Sequence, residues 1–332
     1  SLDLKAGPVF RAVGLRDAVA KEETLLLVAH HLVVDGVSWR ILMEDLQDAY
    51  RQARRKREIV LPPKTANFEA WSAALCKSVE RAEQDADYWE AIAASAQSLT
   101  PPEAGESEVA QFDLTEDETR KLLVTEERNE TLARLLTAFV AAVQHKSGDS
   151  QLTIDLEGHG REGAGLGCDL DVSRTVGWFT SVYPVNLSGD HESIKRELER
   201  VPSGGLSYGV LRHLAGRESV RVPSQVAFNY LGQLDGQTTE GFRRTEVPGP
   251  AVDPANGETH AITVNCWIAN GRLSGEWRSP AAGTLAAGFR NELANSLADD
   301  SSGVSPFDLA DLNADQLAQI AGQISFGGDD DE

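Results

Sequence analysis

Residues 25–42 read "LLLVAHHLVVDGVSWRIL", and the fold follows from how this stretch is parsed. The apolar run "TLLLVAHH" has the length and bounds of a strand, and its near-continuous apolarity is that of a strand covered on both faces. It stops at two adjacent histidines, His30 and His31. Asp35 and Gly36 follow, and then the spacing changes. Trp39, Leu42, Met43, Leu46 and Tyr50 recur at helical intervals, which predicts a helix over 38–57 with the basic cluster "RQARRKR" in its later turns. That cluster reads as a solvated helix end rather than a binding patch. An imidazole at a strand exit is well placed for acid–base work, because its unperturbed pKa lies near neutrality. Adjacent strand residues face opposite ways, so only one of the two histidines can serve a given cleft. Asp35 offers an orienting carboxylate and Gly36 a sharp turn. Asp35 equally suits a cap on the helix near Ser38, and an architectural role, by cap or ion pair, is preferred over direct catalysis.

Upstream, "PVFRAVGL" forms a second strand-like run, separated from the first by polar "RDAVAKEE", so the two predict a strand pair. Downstream, "NFEAWSAALCKSVERAEQDADYWEAIAAS" carries one or two helices. The proline- and small-residue-rich "SLTPPEAGES" then marks a boundary. Beyond it come a strand, "EVAQFDL", a capping box of Thr115 with Glu118, and a helix, "TLARLLTAFVAAVQHKSG", ending near Gly148. "QLTIDLE" and "TVGWFTSVYPVNL" read as strands, "SIKRELERV" and "YGVLRHLAG" as short helices, and "SQVAFNYLGQL" as a strand. "HAITVNCWIANGRLSGEWRS" is a hairpin turning at Asn270-Gly271, and a last helix covers about 284–298. The mixture of strands and helices, without internal repeats, indicates an α/β protein.

The chain has 332 residues, 41% hydrophobic, with a net charge of −21. That acidity argues against nucleic acid, which requires a basic face, and against an anionic membrane surface. Apolar runs are far shorter than the ~20 residues of a membrane helix, and no signal peptide is visible, so a cytoplasmic location is expected. Cys76, Cys168 and Cys266 are odd in number and widely spaced, which fits reduced thiols better than a disulfide framework. The opening at Ser1 suggests a segment of a longer polypeptide, and the acidic end "SFGGDDDE" reads as a linker.

A second constellation is "DLEGHGREG", residues 155–163. In the strand before it, Leu152, Ile154 and Leu156 share one face while Thr153, Asp155 and Glu157 share the other. Glu157 thus sits at the strand exit into a glycine-bearing loop, where it is either surface charge or an acid–base group. His159 and Arg161 are expected to hold that loop together. No pair among His30, His31, Asp35, Glu157 and His159 has a standard zinc spacing, so no metal is expected. No phosphate-binding loop or nucleophile elbow is present.

Taken together, these stretches resemble a known family. "HHLVVDGVSW" is similar to the His-His motif of the condensation superfamily of nonribosomal peptide synthetases. "FEAWSAAL", "DLEGHGRE", "RTVGWFTSVYPV", "PSGGLSYGVLRHL" and "FNYLGQ" resemble, in order, signatures of its epimerization branch. The resemblance runs from residue 1 to about 320. It implies two chloramphenicol-acetyltransferase-like lobes meeting in a V around a tunnel, with the N-terminal lobe lacking roughly its first hundred residues. On that scheme residues 1–98 belong to the first lobe, 99–107 link, 108–322 form the second lobe, and 323–332 are an acidic tail. The implied reaction inverts the α-carbon, L to D, of an aminoacyl or peptidyl thioester. That thioester rides on the phosphopantetheine arm of an upstream carrier domain, with a condensation domain downstream and no cofactor bound by this domain. His31, Glu157 and Tyr230 are the implied catalytic groups. His30, Asp35, Gly36, Arg161, Asn229 and Tyr183 are implied in substrate binding or support, with Arg161 as the ion-pair partner of Asp35. Strict alternation turns Asn229 away from Tyr230, so both could line one site only at a bulge or strand end. The alternatives are a peptide-bond-forming condensation domain, which shares the His-His motif without needing Glu157, and a non-catalytic platform that docks carriers.

Overall fold

A computed structural model describes residues 2–16, 23–99, 105–123, 129–233 and 259–299. The polar stretch "RDAVAKEE" (16–23), the predicted boundary within 99–107 and the acidic tail 323–332 fall wholly or largely outside the described residues.

The two leading apolar runs pair as expected. β1 (Phe10–Arg16) lies antiparallel to β2 (Glu23–Ala29), in register from Phe10 opposite Ala29 to Arg16 opposite Glu23. The expectation that β2 is covered on both faces is not met. Leu25 is 42% exposed and Val28 39%. Apolarity records what a strand would gain from cover, not what supplies it. Among the described residues, this sheet has two strands, and most of its side chains stay exposed.

The following helix, α1 (Gly36–Arg54), begins two residues before the predicted start and ends three before the predicted end. Its N-cap is Asp35, whose carboxylate accepts from the Ser38 amide at 2.7 Å. At the other end Lys56 takes a left-handed φ of 54°. Next come α2 (Phe68–Lys77), the single turn α3 (Val79–Ala82) and α4 (Ala86–Ser95). They bury Trp71 and Trp89, and the Trp89 indole donates to Ser207 Oγ at 3.0 Å.

The rest of the chain builds one six-stranded sheet. Its strands are β3 (Glu108–Asp113), β4 (Leu152–Gly158), β5 (Ser181–Leu187), β6 (Val226–Gln233), β7 (Ile262–Ala269) and β8 (Arg272–Ser279), in the order β3-β8-β7-β6-β4-β5. The β4–β6 and β6–β7 pairs are parallel and the others antiparallel. The helices are α5 (Glu116–Leu122), α6 (Glu130–Ser147), α7 (His191–Arg200), the turn α8 (Leu206–Gly209) running into a π-helical turn at Val210–Leu214, and α9 (Ala282–Asp299). Asn270 and Gly271, at φ 52° and 71°, make the tight β7–β8 turn.

The sheet has two unlike faces. On one, α6 and α9 cover an aromatic core. Phe139 meets Phe228 and stacks on Trp277 at 5.2 Å, and Phe289 packs on Trp277 and Phe112. On the other, cross-strand register brings polar side chains into one layer: Asp155 and Glu157 of β4, Asn229 of β6, Asn265 of β7, Glu276 and Arg278 of β8. The run "TVGWFTSVYPVNL" is strand only from Ser181 onward. Residues 175–180 leave the sheet because their backbone groups are taken by the N-terminal end of α1, as described next. None of the described helices is long and apolar enough to cross a membrane.

Candidate functional site

The histidine pair does not sit on the strand. β2 ends at Ala29, and His30 caps a 3-10 turn, His31–Val33. His30 Nδ1 accepts from the Leu32 amide at 3.1 Å, which commits that ring to holding the turn. The two imidazoles are therefore separated by a cap and its turn rather than by strand alternation. His31 is exposed, with its ring edge-on to Trp178 at 5.2 Å.

The turn is locked to the C-terminal half by Asp35, which is 3% exposed. Besides capping α1, its carboxylate accepts from the Phe179 amide at 3.0 Å and from Arg161 Nη2 at 3.0 and 3.2 Å. Arg161 Nη2 also reaches Ser38 Oγ at 3.1 Å, while Nη1 donates to the carbonyls of Val172 and Thr175 at 2.9 and 2.8 Å. The guanidinium lies 3.9 Å over the Phe179 ring. Ser38 Oγ donates to the Gly177 carbonyl and accepts from the Gly177 amide, at 2.8 and 3.0 Å. Gly36, the first helical residue after the cap, is exposed. One buried cluster thus ties the segment after the histidines to the loop after β4, and it fixes Trp178 beside His31.

Glu157 stands near the end of β4, next to that loop. The residue is open to solvent, yet neighbouring groups strip enough water from its carboxyl to raise its pKa above the ordinary carboxylate value. Positive charge on His31 and on His260 opposes that rise. His31 and Glu157, on elements more than a hundred residues apart, therefore lie within electrostatic reach of each other. The loop permits this at Gly160. Its φ is +63°, and an added Cβ would sit 1.7 Å from the Phe179 carbonyl oxygen. His159 Nδ1 accepts from the Arg161 amide at 3.2 Å and its Nε2 lies 3.4 Å from Glu162, so it braces the loop.

Two candidates lie elsewhere. Tyr230 is in register with Cys266, on the side of the sheet covered by α6 and α9, and its ring packs against the core. Burial pushes its hydroxyl up to about 12, with Cys266 adding to the effect. It is therefore on the face opposite Glu157 and poorly suited to give up a proton near neutrality. The register shift that could redirect it falls after it, between Tyr230 and Gln233. Asn229, by alternation, shares the face of Glu157. Tyr183 pairs with Leu156, is 8% exposed and lies against Trp89, so it belongs to the core side as well.

Sequence reasoning missed His260. Its Nε2 is 3.0 Å from Asp155 Oδ2 and its Nδ1 is 2.9 Å from Thr259 Oγ1. The signal was the carboxylate pair on β4; what it lacked was knowledge that β7 begins one strand away. Among the described residues, no three His, Cys, Asp or Glu side chains gather as a metal would need. A surface cavity of about 570 Å³ between α2 and residues 166–170 is not lined by His31 or Glu157.

The family described as "Condensation domain" matches residues 1–276. Surfactin synthase subunit 1 of Bacillus subtilis (strain 168) is 34% identical over 96% of the chain, and bacitracin synthase 3 of Bacillus licheniformis 35% identical over 82%. The chain spans only 10% and 5% of the length of these two relatives. Among solved structures, the epimerization domain from the third module of tyrocidine synthetase B superposes with a TM-score of 0.79 at 30% identity, covering 91% of this chain and 75% of that one. The first condensation domain of the calcium-dependent antibiotic synthetase superposes at 0.60 with 17% identity, covering 88% and 68%, a likeness of fold alone. The chain belongs to the condensation-domain family.

Proposed function

We propose that this domain inverts the α-carbon of an aminoacyl or peptidyl group held as a thioester on the phosphopantetheine arm of a carrier domain in a nonribosomal peptide synthetase. A thioester acidifies the α-proton more than an amide does. Transfer of that proton to a base leaves its electron pair delocalised into a planar enolate. A proton returned to the opposite face gives the inverted centre and restores the thioester. Such chemistry requires proton acceptors and donors on two sides of one plane, and the observation that carries this reading is that Glu157 and His31, from elements far apart in sequence, lie within electrostatic reach of each other. Glu157 serves one face. His31 serves the other, or bears the charge developing on the thioester oxygen. The raised carboxyl pKa of Glu157 brings a weak base nearer the pH at which it must both take and return a proton. The likeness to a solved epimerization domain supports the same assignment. The partners on this reading are an upstream loaded carrier domain and a downstream condensation domain, in the cytoplasm, with no cofactor held by this domain.

The test is deuterium uptake at the α-carbon in D₂O, measured with the carrier domain loaded in the intact synthetase polypeptide. Glu157→Gln should lower exchange by ~10²–10⁴-fold with carrier loading unchanged. Near-normal exchange in that variant overturns the reading. Transfer of the loaded group to a second carrier without α-exchange replaces it with peptide-bond formation.

A further inference from the structure

On the polar face of the sheet, Asp155 precedes Glu157 by two residues and points the same way. Ala227 of β6 stands in register between Asp155 and Thr263 of β7, presenting only a methyl group. Across it the His260 ring, from just before β7, reaches Asp155 at 3.0 Å, while Thr259 Oγ1 holds the other ring nitrogen at 2.9 Å. Both ring nitrogens are thus engaged. The pair is about one-fifth exposed, 19% for His260 and 20% for Asp155, so neither partner is bulk-solvated. We propose that His260, clasped by Asp155, is a positioning residue that controls the charge on Glu157 during inversion; this rests on the function proposed above.

Three further sets of charged groups bear on this pair. His31 acts on Glu157 from the turn after β2, Tyr208 of α8 feels the charge of Asp155, and Glu276 and Arg278 of β8 share the sheet face, paired with each other at 3.3 Å. Of these, His31 and His260 are the cations that act on Glu157. Removing the charge of His260 while keeping a hydrogen-bonding side chain should therefore leave Glu157 holding its proton to higher pH. The direction is the same whether Glu157 works as base or as acid, since either limb of the pH–rate profile follows its pKa upward.

The experiment measures α-deuterium exchange against pH in the intact, carrier-loaded polypeptide, for His260→Gln, His260→Asn and Glu157→Gln. His260→Gln should move the limb assigned to Glu157 to higher pH, changing kcat more than KM. His260→Asn, which also removes the ring while keeping a hydrogen-bonding side chain, should shift it in the same direction and serves as the second arm if the first variant is unstable. An unchanged profile in the folded variants, with only the melting temperature lowered, overturns the proposal and leaves His260 a sheet staple. Normal exchange in Glu157→Gln instead sinks the function on which it rests, so the two failures are distinguishable.

Discussion

Asp35 shows how much one side chain can be asked to do. It is buried, and it accepts from the amides of Ser38 and Phe179 as well as from Arg161. Burying a charge is costly unless its hydrogen-bonding capacity is filled, and here four bonds fill it. Removing the carboxylate strands a guanidinium whose Nε already lacks a partner. Asp35→Ala should therefore destabilise the fold by ~3–5 kcal/mol, seen as a lowered urea midpoint and poor solubility. Arg161→Lys should lose most of the same stability, because one ammonium cannot span Asp35, Ser38 and two carbonyls. A stable, soluble Asp35→Ala chain that is merely inactive would contradict the architectural role. Both readings of Asp35 posed by the sequence, cap and ion pair, are realised at once. The histidines were less legible. Two residues of one type in a row look like alternating strand positions, and only the backbone reveals that His30 spends its Nδ1 on the Leu32 amide. The face of Tyr230 was illegible for a related reason: motif order places residues in sequence, whereas the face they occupy depends on register, here with Cys266.

At the scale of elements, local chemistry was the most readable part of the chain. The capping box at the start of α5 forms as its spacing predicts. Thr115 Oγ1 accepts from the Glu118 amide at 3.2 Å, and Glu118 accepts from the Thr115 amide at 2.8 Å. Glu118 has a second task that no local pattern announces, since Arg290 of α9 donates to both its carboxylate oxygens at 2.8 and 2.9 Å. Thr115→Ala should cost about 1 kcal/mol, the usual value of an N-cap. Glu118→Ala should cost more, about 1.5–2 kcal/mol, because the tie to α9 goes as well. Equal losses for the two variants, measured by thermal or urea unfolding, would mean the Arg290 contact contributes nothing. The turn at Asn270-Gly271 and the C-cap at Gly148 were legible for the same reason, since each needs a left-handed residue that the sequence supplies. Residues 175–180 were not. "TVGWF" has strand composition, but Ser38 and Asp35 claim the backbone of Gly177 and Phe179, and a tertiary partner overrides propensity.

Across the whole molecule, the sheet separates two kinds of chemistry. The aromatic face under α6 and α9 carries the stability, and the polar face carries Asp155, Glu157 and Asn229, so substitutions on one should seldom mimic those on the other. Acid stability draws on a third place, the junction of α6 and α7. There Glu130, 6% exposed, meets Arg134 at 2.8 Å, His191 at 3.0 Å and Lys195 at 3.1 Å. Burial alone would raise its pKa, but the hydrogen bonds and charges of those three cations overcome it and hold the carboxyl at about 2, below the ordinary 4.5. A carboxylate depressed on folding contributes stability that is fully present above its unfolded pKa and is lost as pH falls through its folded one. The contribution of Glu130, about 3 kcal/mol by that linkage, should therefore persist at pH 7 and disappear between pH 4.5 and about 2. In a chain of net charge −21 many carboxylates titrate over the same range, so the bare acid midpoint would not isolate this one. The difference between wild type and Glu130→Gln does. Urea midpoints should differ by the full amount at pH 7, and the gap should narrow steadily below pH 4.5 and close near pH 2. A gap that stays constant down to pH 2 would show that Glu130 contributes by packing alone, and that the junction of α6 and α7 does not depend on its charge.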